Sequence, residues 1–160
     1  MIKLIVENLS ITGEKFSGEE PAEALLLSND EPFQISAPIK YDFTASLAAG
    51  DVIVRGNAKV TLSGECGLCL ETTEQEVSID DICCYFESPG QGELDITENY
   101  LEEISINLPQ NIKCVENCQG LCPNCGQNLN KAACSCEITE ADDYEKSDIW
   151  GKLDNLKIDN

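Results

Sequence analysis

The cysteines offer the clearest chemistry in this chain, because six of the ten fall between positions 114 and 136. Within that segment, Cys122-Pro-Asn-Cys125-Gly126 has the form of a zinc knuckle, a tight turn whose two thiolates converge on one ion. Gly126 supplies the backbone angles that such a turn often needs. Four thiolates from two short turns can close a tetrahedral shell that leaves no open position for a substrate or a water. The sequence therefore predicts a structural zinc site at Cys122, Cys125, Cys134 and Cys136.

A further CxxC pair, Cys66 and Cys69, follows a predicted strand. One CxxC supplies half of a tetrahedral site, so a redox dithiol and packed structural cysteines are the alternatives. Eight clustered cysteines make two shells of four, and a second zinc site could combine this pair with Cys114 and Cys118. The spacing of Cys114 and Cys118 is imperfect for a knuckle. Mixed shells therefore stay open, for instance with Cys118 in place of Cys134.

The cysteines could instead form a disulfide framework, which is typical of small secreted chains. The chain begins Met-Ile-Lys-Leu-Ile-Val-Glu-Asn, which contains no basic region, apolar core or cleavage site of a signal peptide. No stretch approaches the length that spans a membrane. We therefore expect a cytoplasmic protein whose thiols stay reduced and available to metal.

The charge is strongly negative, with 30 acidic residues, 10 basic residues and a net charge of −20 at pH 7. No lysine or arginine occurs between Lys59 and Lys113. A nucleic-acid binder normally displays a basic face that displaces counterions from phosphates, so direct RNA binding is disfavoured. Basic proteins are the partners that such a surface fits, and the alternative is that the charge only keeps the protein in solution.

Histidine is absent from the chain. This removes the commonest general base, and with it Ser–His and Cys–His nucleophilic sites and histidine-bearing catalytic zinc sites. Redox pairs usually sit at a helix N-terminus, whereas Cys66 and Cys69 follow a strand and have Glu65 and Glu71 nearby, which would raise their pKa values. We therefore expect a protein without enzymatic activity.

The hydrophobic pattern predicts an antiparallel sheet. Apolar residues alternate over 2–6, 39–46 and 52–62, the last two joined by a turn at 49–51 as a hairpin, and the chain returns through 77–86. Cys83 and Cys84 would point to opposite faces of that returning strand, with apolar packing as their expected role. Short helices are predicted at 95–104, with Ile96, Tyr100, Leu101 and Ile104 on one side, and at 148–156 around Trp150.

Together these elements predict an α+β fold that is mainly β, with few short helices and a zinc-knuckle lobe near the C-terminus. The expected organisation is a β-rich domain at 1–110, a cysteine-rich zinc lobe at 111–139, and an acidic connector with a helix at 140–160. Zinc would allow a lobe to fold that could not bury enough apolar surface alone.

With these motifs in hand, the chain resembles the YceD family, named for large ribosomal subunit RNA accumulation. The resemblance is carried by Val-Arg-Gly at 54–56, the CxxC at Cys66 and Cys69, Cys-Tyr-Phe at 84–86, the segment 95–108, and Cys-Gln-Gly-Leu-Cys-Pro-Asn-Cys-Gly-Gln-Asn-Leu-Asn at 118–130. It is similar to the branch with an added cysteine-rich lobe. The segment from Asp148 departs from the family's Asp-Pro-Arg ending, because Ile149 and Trp150 stand where proline and arginine would be.

This resemblance implies a bacterial or plastid protein that acts in the synthesis, processing or accumulation of ribosomal RNA, in linkage with a large-subunit ribosomal protein. It implies no catalytic mechanism. Because the charge disfavours contact with phosphates, we hypothesise that the protein binds a basic ribosomal or processing protein and affects the RNA indirectly. The alternative is a thiol-redox protein that uses Cys66 and Cys69.

Overall fold

The computed structural model describes residues 1–25, 27 and 31–136, which form seven strands and one α-helix. The predicted connector and final helix lie outside the described residues. In chain order the elements are β1 (Lys3–Ile5), β2 (Glu14–Glu20), β3 (Phe33–Ile35), β4 (Ile39–Ala48), β5 (Asp51–Glu65), β6 (Thr72–Phe86), β7 (Glu93–Asp95) and α1 (Thr97–Ile106), with short 3-10 turns at Val6–Asn8 and Ala22–Ala24.

The predicted hairpin is the centre of a five-stranded antiparallel sheet. β4 and β5 pair from Ala48↔Asp51 to Lys40↔Lys59, and the two residues between them, Ala49 and Gly50, both have positive φ (56° and 98°). Such a turn matches the twist of the flanking strands. β2 pairs with β4, β6 pairs with β5 along its other edge, and β3 pairs with β5 beyond the end of β4. The predicted mainly β, α+β fold is confirmed.

A bulge in β6 changes which residues face the core. Gly56 pairs with Ile82 and Ala58 pairs with Ile79, so Asp80 and Asp81 together oppose the one residue between Gly56 and Ala58. Asp81 has a φ of 61°, a left-handed conformation that aspartate tolerates better than most residues. Ile79 and Ile82 are consequently both buried although they are three positions apart. Strict alternation could not predict this shift.

Helix α1 lies on the buried face of the sheet. Its apolar residues Tyr100, Leu101 and Ile104, together with the preceding Ile96, are buried, as predicted. The Asp95 carboxylate accepts hydrogen bonds from the backbone N–H (2.9 Å) and the hydroxyl (2.6 Å) of Thr97 at the start of the helix. The Tyr100 hydroxyl donates to the backbone carbonyl of Asn57 (2.9 Å), opposite the bulge. This bond fixes the helix to the middle of β5.

The first strand is shorter than predicted but keeps the predicted pattern, because Ile2, Leu4 and Val6 are all buried. β1 pairs antiparallel with β7 in a separate two-stranded sheet. The adjacent cysteines of β6 behave differently: Cys84 is buried in the core, whereas Cys83 is exposed. The expectation that both would pack in an apolar environment is therefore wrong for Cys83, since alternate residues of a strand face opposite sides.

The chain divides into two compact units, Met1–Cys118 and a second that starts at Gln119. Cys114 and Cys118 therefore lie in the first unit, not in a lobe that starts at residue 111. The first unit contains an extensive apolar core, whereas in the described part of the second unit only Gly120 and Cys122 are buried. No helix in the described ranges has the length and apolar character to cross a lipid bilayer.

The hydrogen bond between α1 and β5 leads to a stability prediction. Tyr100→Phe leaves the ring in place but removes the donor to Asn57, and should lower the free energy of unfolding by about 1 kcal/mol. Tyr85→Phe removes an exposed hydroxyl that donates to Asp51 (2.5 Å) and is the matched control, with a smaller expected loss. Urea denaturation of both variants measures the difference. Equal losses would contradict a specific role for the Tyr100 bond.

Candidate metal centres

The first cysteine cluster begins at the end of the β5–β6 hairpin, in a turn from Cys66 to Glu71. The backbone N–H of Leu70 donates to the carbonyl of Cys66 (2.9 Å), and the N–H of Cys66 donates to the carbonyl of Glu71 (2.9 Å). Leu70 occupies the left-handed region with a φ of 60°. Cys66 and Cys69 are both buried. The hairpin thus holds one CxxC pair in a closed, hydrogen-bonded turn.

A second arm of the first unit, residues 112–118, brings the other two cysteines to this turn. Ile112 forms a parallel bridge with Cys66, and the N–H of Gly67 donates to the Ile112 carbonyl (2.9 Å). Ile112 is fully buried, and the N–H of Lys113 donates to the side-chain oxygen of Gln75 on β6 (3.0 Å). These contacts fix the start of the segment that carries Cys114 and Cys118.

The four sulfur atoms of this cluster, which we call centre 1, have the spacing of a tetrahedral metal site. The Sγ atoms of Cys66 and Cys118 are 3.8 Å apart, and those of Cys69 and Cys114 are 3.6 Å apart. All four lie within 4.8 Å of one another. A tetrahedral site with zinc–sulfur bonds of about 2.3 Å has sulfur–sulfur edges of about 3.8 Å. Centre 1 can therefore hold such an ion with little movement.

The second unit repeats the same turn. In the segment from Cys122 to Gln127, the N–H of Gly126 donates to the Cys122 carbonyl (2.9 Å), and the N–H of Cys122 donates to the Gln127 carbonyl (2.8 Å). Gly126 has a φ of 73° and occupies the position that Leu70 holds in the first turn. The two knuckles are therefore the same structure, built once with glycine and once with leucine at the left-handed position.

Short polar contacts order the segments on either side of the second knuckle. Leu121 and Asn128 form an antiparallel bridge, and the N–H of Leu129 donates to the Gly120 carbonyl (2.9 Å). The side-chain oxygen of Asn130 accepts from the N–H of Gln119 (2.8 Å). The sulfur atoms of the resulting cluster, which we call centre 2, again lie within 4.8 Å of one another: Cys122, Cys125, Cys134 and Cys136.

The structure assembles the same two sets of four cysteines that the sequence analysis proposed. The structure does not assemble the alternative shell in which Cys118 replaces Cys134. Cys83 and Cys84 belong to neither group in the described chain. Burial, with Glu103 and Cys83 as further causes, raises the pKa of the Cys84 thiol to about 11, which suits a packed neutral side chain.

Each knuckle favours a thiolate at its first cysteine. Burial opposes ionisation of Cys66, but hydrogen bonds from the backbone N–H groups of Cys114, Leu68 and Cys69 outweigh it and lower the pKa to about 6. Backbone N–H groups of Cys125 and Asn124 lower the pKa of Cys122 to about 6 in the same way. Thiolates are the form that binds metal. The turns therefore prepare one ligand in each centre.

In each centre, one other thiol is held protonated by its surroundings when no cation is present. Burial and the neighbouring Cys69 raise the pKa of Cys114 to about 12. In centre 2, the neighbouring Cys125 and burial raise the pKa of Cys136 to about 12. Four thiolates at this distance repel one another, so all four ionise together only around a cation. Both centres therefore have the donor set of a closed four-sulfur metal site, with soft ligands that suit zinc.

Two features of the centres were not predicted. The bridge between Ile112 and Cys66 has no local sequence pattern, because it joins residues 46 positions apart. The left-handed conformation of Leu70 could have been found by aligning the two knuckles, since Gly126 stands at the same offset from its CxxC. Leucine itself gives no indication of positive φ.

Comparisons with known proteins support the resemblance seen in the motifs. The profile of the family described as large ribosomal RNA subunit accumulation protein YceD matches residues 80–157. The predicted resemblance to this family is confirmed over that range, which contains α1 and six of the eight clustered cysteines. Cys66 and Cys69 lie before it.

One curated relative is an uncharacterised protein of Mycobacterium leprae, 26% identical over 108 residues that cover 58% of this chain and 50% of that protein. The chain thus spans half the length of this relative. No solved structure gives a significant match.

The two centres predict two bound metal ions per chain. Cys66→Ser should remove the ion of centre 1 and Cys122→Ser the ion of centre 2, each lowering the metal content from two equivalents to about one, because each centre needs four sulfurs. Elemental analysis of protein purified without chelator measures this content. Cys83→Ser is the control and should retain both ions. Loss of metal in that control, or a single ion in the unaltered protein, would contradict the assignment.

Proposed function

We propose that the protein is a non-enzymatic, cytoplasmic factor that supports accumulation of large-subunit ribosomal RNA by binding a basic ribosomal or RNA-processing protein. Two Zn²⁺ ions, one in each centre, hold its binding surfaces in shape. The role in ribosome biogenesis rests on one observation above all, the family match over residues 80–157. The mode of action is argued from the charge and from the chemistry of the two centres.

Zinc suits both centres because all eight candidate ligands are cysteine sulfurs, and the four of each centre lie within 4.8 Å of one another. An ion held by four sulfurs has no open position, so it contributes folding energy rather than an activated water. The chain contains no histidine that could open such a shell to catalysis or serve as a general base. A structural role for zinc follows from this donor set.

The second unit has the greater need for metal. Its described residues bury only Gly120 and Cys122 and contain no helix or extended strand. Hydrogen bonds of short turns do not offset the conformational entropy of ordering such a segment. The ion of centre 2 would supply the missing free energy, so this unit should fold only when metal is bound.

A basic protein fits the surface better than RNA does. The net charge is −20, and among the described residues the exposed acidic side chains include Glu98 and Glu102 on α1 and Glu74 and Glu76 on β6. Each four-thiolate zinc site adds further negative charge. Attraction of this size would speed encounter with a cationic protein and would be screened by salt. The effect on ribosomal RNA would then be indirect.

Capture from purified large-subunit ribosomal components tests the proposal. Immobilised, zinc-loaded protein is mixed with free ribosomal proteins and, separately, with protein-free ribosomal RNA, at about 50 mM and about 500 mM salt. We expect one or a few basic proteins, identified by mass, to bind at low salt and to be released at high salt. Protein-free RNA should not bind. Direct RNA binding that survives high salt would contradict the proposed mode of action.

The same preparation separates this proposal from a thiol-redox protein. If centre 1 is a structural zinc site, the bound ion should protect Cys66 and Cys69 from alkylation until a chelator removes it. A redox pair should instead be found without metal and should cycle reversibly between dithiol and disulfide. Counting alkylated thiols by mass, with and without chelator, distinguishes the two outcomes. Reversible oxidation of Cys66 and Cys69 in metal-free protein would favour the redox function.

A further inference from the structure

The two knuckles share a backbone conformation but carry different residues directly after the second cysteine. Both place the residue after the second cysteine in the left-handed region, with φ values of 60° at Leu70 and 73° at Gly126. Glycine adopts this conformation without steric cost, whereas the Cβ of leucine is crowded there. Leu70 is therefore in a strained conformation that glycine at the same position would adopt without strain.

Packing within the chain does not offset this strain. The Leu70 side chain is 59% exposed, so most of it gains nothing from burial. Strain at an exposed position is a reason to look for a function outside the chain. Two other large apolar residues beside the ligands of centre 1 are also exposed, Leu68 at 44% and Val115 at 55%. These are three of the eight exposed large hydrophobic residues in the described part of the chain.

We propose that Leu68, Leu70 and Val115 form the surface on which the basic partner docks, and we call these three residues the apolar tip. This inference rests on the proposed function, because it gives a location to the partner binding proposed there. The expected contact on the partner is a segment with large apolar side chains set among lysines and arginines. The apolar side chains would cover the tip, and the cationic ones would meet its acidic neighbours.

Charge complementarity favours a cationic protein segment as the partner of the apolar tip. Leu70 is followed by Glu71, Val115 is followed by Glu116, and Glu65 precedes the first knuckle. Acidic groups around an apolar centre favour a cationic segment and repel a second copy of this strongly acidic chain. Apolar anchors at the centre of such a contact supply most of the binding free energy, and the surrounding charges set the choice of partner.

The apolar tip spans the two arms that meet at centre 1. Leu68 and Leu70 belong to the hairpin arm, and Val115 belongs to the arm that follows Ile112. The two arms meet where the sulfur of Cys66 faces that of Cys118 and the sulfur of Cys69 faces that of Cys114. An ion in centre 1 would therefore hold the two halves of the tip together, and docking should depend on that ion.

Leu70→Gly is a sharp test because it removes the side chain while giving the left-handed position its preferred residue. Metal content should stay at the level of the unaltered protein, and thermal stability should be equal or higher. Affinity for the basic ribosomal protein identified by capture should fall about tenfold. Val115→Ser should weaken binding in the same direction from the other arm. The readouts are elemental analysis, thermal denaturation and a titration of the partner.

Ile11→Ser is the matched control. Ile11 is 86% exposed. The carbonyl of the neighbouring Ser10 accepts a hydrogen bond from the N–H of Leu47, close to the turn between β4 and β5. It therefore lies at the opposite end of β5 from Cys66, and its substitution should leave affinity unchanged. A similar loss of affinity in this variant would overturn the proposal, because it would show a general effect of surface hydrophobicity.

Three further outcomes are decisive. If the unaltered protein binds the basic partner and the Leu70→Gly and Val115→Ser variants bind it equally well, the apolar tip is not the docking surface, while the proposed function stands. If the unaltered protein binds no basic protein, the proposed function fails and this inference falls with it. Self-association that Leu70→Gly abolishes would assign the tip to a second copy of the chain and would overturn the proposal.

Discussion

Repulsion among converging thiolates is the constraint on which the arrangement of this protein depends. Backbone N–H groups stabilise one thiolate in each centre, at Cys66 and Cys122, whereas raised pKa values keep the thiols of Cys114 and Cys136 protonated until a cation neutralises the group. In the described residues of centre 2, the loops that carry the cysteines form no helix or extended strand, so the ion is what can join them. Metal binding, proton release and closure of each centre are therefore one coupled event.

The two centres place this event in different structural settings. Centre 1 lies on a hairpin of two 15-residue strands and next to the buried Ile112, so half of its ligands are positioned before any ion arrives. Centre 2 relies on turns and asparagine side chains, and Cys125 is exposed. Preorganisation should make centre 1 the tighter and slower-exchanging site, while centre 2 carries the folding of its own unit.

The proposed function is to present binding surfaces rather than to perform chemistry. Under that proposal, the net charge of −20 would favour the capture of cationic proteins. The strained, exposed Leu70 is consistent with this proposal, because an apolar anchor would add selectivity that charge alone does not provide.

The sequence alone determined the local elements, since each depends on neighbours in the chain. Alternation gave the hairpin of β4 and β5, helical spacing gave the buried face of α1, and the CxxC spacing gave both knuckles.

Tertiary structure decided what depends on distant residues. The bulge at Asp80 and Asp81 shifted the core face of β6, and the pairing of Ile112 with Cys66 selected Cys114 and Cys118 for centre 1. These outcomes follow from strand register and long-range contacts, in which the free energy of packing many residues outweighs any local preference.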